Sequence, residues 1–250
     1  MRRTELLMGM PITIDVADGN ASSKIGKAFS YFRRIDEKFS TYRKASEISR
    51  INRGELAPRQ YSGEMKEAFA LCETTKAETD GYFDIVDQNG LLDPSGLVKG
   101  WAILCAAELL AGAGLSNFYV NAGGDIEARG KNHEGKPWRI GIQNPFNPME
   151  QVKTLFLSNA GVATSGSYIR GDHIYNPKNR SENVTGIVSL TVIGPNVYEA
   201  DRFATAAFAM GKRGIQFIEE RNGLEGYMID SAGIATMTSG LARYAAKKNV

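Results

Sequence analysis

Only two cysteines and two histidines occur in the 250 residues. Cys72 and Cys105 each sit in an apolar helical pattern, where a free thiol behaves as a small hydrophobe, so no disulfide framework is expected. A structural zinc site draws on closely spaced Cys and His, which are missing here, and any bound metal should be held by oxygen. Charge of one sign is also lacking, with 30 Lys plus Arg against 28 Asp plus Glu. No field exists to recruit nucleic acid, and Arg33-Arg34 and Lys247-Lys248 read as solvated charges. No run approaches the roughly 18 apolar residues that cross a bilayer, so membrane insertion is not expected. A leader pattern of charged, apolar and small residues is missing from the N-terminus. The expected location is therefore cytoplasmic, or periplasmic for a chain whose leader has been cut away.

What is present is ordinary globular material, 42% apolar and 23% charged, enough to fill a core. Met10, Ile12, Ile14 and Val16 alternate with Thr13 and Asp15, the pattern of a half-buried strand, and Asp18-Gly19 ends it. Ile25, Ala28, Phe29, Phe32, Ile35 and Phe39 recur at helical spacing. Ser46 is placed to cap a short helix carrying Ile48 and Ile51. A third helix runs from about Gly63 and stops before Gly81, with Met65, Ala68, Phe69 and Cys72 on one face. The fourth begins near Lys99, buries Trp101, Ile103, Leu104 and Ala107, and ends in the glycines of 111–114. Strands then dominate, around 118–120, 138–142, 188–192, 227–230 and 234–238, with helices over about 199–211 and 214–221. This mixture lacks regular strand–helix alternation and predicts an α+β fold with mixed, largely antiparallel sheets and flanking helices. No linker divides it, so a single domain over 1–250 is expected, either one body or two intimately packed subdomains.

Several constellations could carry chemistry. Asp201 and Thr205, four apart, share a helix face about one turn from each other. A carboxylate and a hydroxyl so placed suit a hard cation such as Mg²⁺; alternatively Asp201 serves the helix dipole and Thr205 is incidental. Asn121-Ala122-Gly123-Gly124-Asp125 follows a strand and reads either as a hairpin turn or as a loop whose amides approach a phosphate. Ala163-Thr164-Ser165-Gly166 offers hydroxyls and N–H donors, or is an ordinary loop. His173, in a turn-rich stretch, is either a general base or a surface histidine. Asp93-Pro94-Ser95-Gly96, followed by Lys99-Gly100, reads as a helix start that caps itself or binds an anion.

The order of these segments is more telling than any one of them. Met8-Gly9-Met10 is followed by Phe39-Ser40-Thr41-Tyr42, Ser46–Asn52, Gly81-Tyr82-Phe83-Asp84-Ile85 and Asp93–Gly100. Asn121–Asp125, Ala163–Gly166, His173-Ile174-Tyr175-Asn176-Pro177 and Ala200-Asp201 with Thr205 come next. Over nearly the whole chain this resembles the ApbE family of FAD:protein FMN transferases. The resemblance implies a T-fold-like architecture with FAD in a cleft. Met8, Tyr42, Tyr82, Phe83, Asp84, Asp93, Lys99 and Tyr175 would border it, while Ala122, Gly123, Gly124 and Asp125 and Thr164, Ser165 and Gly166 would wrap the nucleotide. Asp201 and Thr205 would hold Mg²⁺ through side chains, and Gly96 and Ala204 through backbone oxygens. His173 and Asp201 would be the catalytic groups. FAD would be the substrate, and a flavoprotein bearing a Thr or Ser flavinylation motif the acceptor, with no nucleic acid involved. Asn176 departs from the family's usual Asp and is given no catalytic role; Gly96 replaces the commoner Ala or Thr, and Pro11 removes a strand donor. The same residues would also serve FAD hydrolysis to FMN and AMP, or a non-catalytic flavin carrier.

Overall fold

Ile12, Ile14 and Val16 are fully buried because the alternation seen in the sequence places all three on one face of a strand. That strand, β2 (Met10–Val16), belongs to an eight-stranded sheet in a computed structural model that describes residues 1–167, 176–179 and 184–245. The others are β1 (Arg2–Leu7), β3 (Phe118–Ala122), β4 (Asp125–Arg129), β7 (Asn159–Gly166), β8 (Ile187–Gly194), β9 (Glu225–Asp230) and β10 (Ala235–Met237). Their order is β1-β2-β3-β4-β7-β8-β9-β10, and every neighbouring pair is antiparallel. The remaining strands, β5 (Trp138–Asn144) and β6 (Asn147–Leu157), form a separate hairpin.

Among the described residues there are six α-helices, namely α1 (Ser22–Phe39), α2 (Glu47–Asn52), α3 (Gly63–Glu78), α4 (Ser95–Gly112), α5 (Val197–Ala209) and α6 (Gly214–Glu219). Ser46 caps α2 by accepting from the Ser49 N–H at 3.2 Å. All six lie on one face of the sheet. Ile25, Phe29, Phe32, Ile35 and Ile103 join Ile12, Val16, Phe118 and Val120 in the core under β2 and β3. Ala200, Phe203, Ala204 and Phe208 join Ala163, Leu190, Val192 and Met228 over β7 to β9. On the opposite face the β5–β6 hairpin supplies Trp138, Ile142, Leu155 and Leu157 against Ile126, Val162, Ile193 and Ile229.

Several details differ from the sequence reading. β1 was not anticipated, since its charged residues are mostly exposed and show no buried alternation. Thr164, Ser165 and Gly166, expected in a loop, end strand β7. That strand is built of small residues because α5 lies directly on its backbone, and a Cβ on Gly161 would stand 1.9 Å from the Val197 nitrogen. α4 starts at Ser95, four residues before Lys99, with Asp93 Oδ1 accepting the Ser95 N–H at 3.0 Å. The expectation that nothing approaches a membrane span also needs amending. With 18 residues and a mean hydropathy of 1.3, α4 is long and apolar enough to cross a bilayer. Here it is a core helix, packed against both α1 and α5.

Candidate functional site

Asp125 and Glu127 stand two apart on β4 and therefore face the same side, toward the helices. Both carboxylates are buried, at 1% and 0% exposure, beneath the seam where α4 meets α5. Burying a carboxylate is costly unless it is partnered, and each has partners. Asp125 Oδ1 accepts the Thr164 N–H at 3.0 Å. Its Oδ2 receives no hydrogen bond among the described residues but is ion-paired with Lys99 Nζ. Glu127 accepts the Val197 N–H, the first of α5, and the Arg129 guanidinium, both at 2.7 Å.

Asp201 enters from α5. Its Oδ1 lies 3.2 Å from Lys99 Nζ, and its Oδ2 accepts the Gly100 N–H at 2.8 Å. One turn on, Thr205 Oγ1 donates to the Gly96 carbonyl at 3.3 Å. Two α5 side chains thus engage two backbone groups of α4, an arrangement that needs close approach. Gly100 allows it, since a Cβ there would meet Asp201 Cβ at 2.6 Å and the Val197 carbonyl at 2.9 Å.

One ammonium between two carboxylates leaves a net negative charge. Burial alone would lower the Lys99 pKa, but Asp125 and Asp201 outweigh it and hold the ammonium above the ordinary lysine range. Burial pushes the Asp201 carboxyl up to about 7, with Lys99 opposing and Asp125 reinforcing the shift. Burial also raises Glu127, against the Val197 N–H and Arg129. The Asp201 carboxylate, the Thr205 hydroxyl and the Gly96 carbonyl form an all-oxygen donor set, beside the Asp125 carboxylate that the Lys99 ammonium pairs with. That chemistry fits a hard divalent cation. Ala204, between Asp201 and Thr205, is fully buried.

The structure therefore brings together Lys99, Asp125, Thr164, Asp201, Thr205 and Gly96. Phe83 joins them, its ring 3.5 Å from where a Gly96 Cβ would stand. Gly123 and Gly124 form the β3–β4 turn beside Ala122, both with positive φ, and Asn121 Oδ1 accepts the Gly124 N–H at 3.0 Å. Ser165 is buried, and Thr164 Oγ1 lies 2.8 Å from Thr191 Oγ1. Other expected residues lie elsewhere. Met8 packs on the helical core from the β1–β2 turn. Asp84 pairs with Lys76 at 3.0 Å and accepts the Val86 N–H. Asp93 lines a cavity of about 280 Å³ with Thr41, Ser49 and Asn52. Tyr82 accepts from Arg213 at 2.6 Å beneath the Lys178 ammonium, and Tyr42 is 97% exposed. His173 and Tyr175 lie outside the described residues. Asn176 Oδ1 accepts the Lys178 N–H at 3.0 Å, a local turn bond. Glu127, Gly100 and Gly161 were missed. Gly96 and Gly100, four apart in an apolar helix, are a signal of close helix contact that could have found one of them.

An antiparallel sheet with helices on one face, and a buried oxygen-lined seam between two of those helices, defines an α+β protein with a candidate cation site. A model of the ApbE family matches residues 8–89 and 86–228, and the chain belongs to that family. The FAD:protein FMN transferase of Klebsiella pneumoniae (strain 342) is 34% identical over 151 residues, which cover 57% of this chain and 43% of that protein. The one from Escherichia coli (strain K12) is 33% identical over the same shares. The chain thus spans less than half the length of these relatives. The solved ApbE protein of Thermotoga maritima superposes with a TM-score of 0.85 at 19% identity, covering 99% of both chains. The flavin transferase ApbE from Vibrio cholerae gives 0.82 at 21%, covering 98% of both. At such identities the likeness establishes the fold.

Proposed function

We propose that this chain moves the FMN half of FAD onto a Thr or Ser hydroxyl of an acceptor flavoprotein, in a Mg²⁺-dependent reaction that releases AMP. The observation that carries this reading is the α4–α5 seam. There Asp201 and Thr205 meet Gly96 and Gly100, with Lys99 between two buried carboxylates. The names of the curated relatives point the same way.

Asp201, Thr205 and the carbonyls of Gly96 and Ala204 would hold the cation. When bound, it neutralises charge on the pyrophosphate as the bridge breaks. The chain's own residues supply position. The Gly100 amide fixes the rotamer of Asp201, and Lys99 keeps both carboxylates from repelling each other. The Gly123–Gly124 turn brings bare backbone to the sheet end where Asp125 stands, held in shape by Gly124 N–H to Asn121 Oδ1 and Gly123 N–H to the Pro11 carbonyl. The acceptor oxygen would bond to the phosphorus on the FMN side, the bridging oxygen would leave with AMP, and His173 would take the hydroxyl proton. Phosphoryl transfer through a loose transition state asks little of a base, so loss of Asp201 should cost more than loss of His173.

The test is incubation with FAD and Mg²⁺, with and without an acceptor. AMP formed only with acceptor, together with a fluorescent acceptor band, supports transfer. AMP plus free FMN without acceptor makes the protein a hydrolase, and neither product makes it a carrier. Asp201→Ala should lower AMP release by about a hundredfold or more, the scale of losing one electrostatic contact to the reacting group. An Asp201→Ala protein with undiminished transfer sinks the cation assignment.

A further inference from the structure

We infer that Glu127 is a positioning residue for the cation site. This rests on the reading above and extends it to a side chain that touches none of the proposed ligands. Glu127 Oε2 accepts the Val197 N–H at 2.7 Å, and its Oε1 is held by Arg129 Nε at 2.7 Å. Arg129 in turn reaches Glu108 of α4 at 2.6 Å. Side-chain capping of the α5 start is already present, since Asn196 Oδ1 accepts the Glu199 N–H at 2.9 Å. Glu127 is therefore not needed to start the helix. What it adds is a bond from the sheet to the end of α5 that carries the site.

The Val197 peptide is the point where α5 meets both neighbours. Its nitrogen rests over Gly161 of β7, where a Cβ would stand only 1.9 Å away, and its carbonyl rests on Gly100 of α4. Asp201 lies four residues further, one turn along the same face. A small rotation of α5 about this point would carry the Asp201 carboxylate off the Gly100 N–H and Thr205 off the Gly96 carbonyl. The bare glycines impose contact but no direction, because without side chains they let the helix slide. The Glu127 carboxylate supplies direction, fixed by Arg129 and buried at 0% exposure. Asp125 and Glu127, on one face of β4, thus divide the task. The first holds the α4 lysine, and the second holds the α5 terminus.

The role depends on reach, and this separates it from a purely structural one. Glu127→Gln keeps an oxygen at the same distance to accept the Val197 N–H. Glu127→Asp keeps the charge but falls one methylene short. The probe is Mn²⁺ alone, a hard-cation stand-in for Mg²⁺, titrated into the folded chain with free ion read by electron paramagnetic resonance. Unfolding curves are recorded in parallel. Glu127→Asp and Glu127→Ala are expected to bind Mn²⁺ about tenfold more weakly, the low end of what groups orienting metal ligands contribute. Glu127→Gln should stay within about twofold of wild type. Should Glu127→Ala fail to fold, the Asp and Gln pair decides. Equal Mn²⁺ affinity in the Asp variant and the wild type overturns the inference, as does equal weakening in Asp and Gln. A wild-type chain that binds no Mn²⁺ overturns the cation reading itself, a separate and distinguishable result.

Discussion

Helix α4 has two flanks that are built on opposite rules. Toward α1 it presents bulk, with Trp101 edge-to-face on Phe39 at 5.9 Å between ring centres. Toward α5 it presents Gly96 and Gly100 where the two helices meet most closely, with Lys99 between the carboxylates of Asp125 and Asp201. The α1 flank gains from apolar burial and leaves no charge to satisfy. The α5 flank buries charges that are tolerable only because they face one another, an arrangement that adds little net stability and makes the loss of one partner costly. Stability and chemistry are thus assigned to two sides of one helix, and substitutions should separate them.

The largest stability effect is expected on the apolar flank. Phe32 of α1 is fully buried, and Phe32→Ala should cost about 3–5 kcal/mol, read by denaturant unfolding. Cation affinity per folded molecule should be unchanged; a matching loss of affinity would mean that the two flanks are not separable. Next comes Gly100→Ala, whose Cβ would crowd Asp201 Cβ at 2.6 Å. Overpacking of this kind costs about 1–3 kcal/mol, while cation binding should fall out of proportion to that figure. Wild-type Mn²⁺ binding in this variant would break the close-approach argument.

A smaller, graded effect follows from pH. Burial pushes Asp201 to about 7 from its ordinary 3.8. The folded chain therefore keeps this proton below about 7 while the unfolded chain releases it, so protonation favours folding as pH falls from about 7 toward 4. That contribution is lost as pH rises through the folded value. Cation binding needs the carboxylate and runs the other way, so the Mg²⁺-induced rise in Tm should grow from about pH 6 to about pH 8. A Mg²⁺ increment that stays flat over this interval contradicts the assignment of Asp201. The smallest effect concerns Cys72, where burial pushes the thiol up to about 12. It should resist iodoacetamide in the native protein at neutral pH, and rapid native alkylation, followed by mass spectrometry, would show the core there to be open.

Much of this was legible in the sequence because large apolar side chains report their surroundings. The α1 pattern from Ile25 to Phe39 and the alternation of Ile12, Ile14 and Val16 each declared which face is buried, and those residues are buried. The pairing of Asp201 with Thr205 on one helix face could be read from spacing alone. Strand β7 could not, since Gly161 and Ala163 are small to suit α5 and carry no strand signature. β1 failed for the opposite reason, being polar and exposed at the sheet edge. Glu127 was invisible because its role depends on Val197, 70 residues away, and local pattern says nothing of such a partner. The order of segments shared with the ApbE family pointed to Lys99, Asp125 and Asp201, but not to the ammonium bridging them.

The Gly100–Asp201 bond spans 101 residues, and that of Thr205 with Gly96 spans 109. At about 5–20 residues per second of synthesis, α4 emerges roughly 5 to 20 seconds before the helix that will cover its glycine flank. Throughout that interval an 18-residue segment of mean hydropathy 1.3 is without one of its two lateral neighbours. The nascent protein should be most prone to sticking at that stage, and a chaperone that shields α4 until α5 arrives would raise its yield.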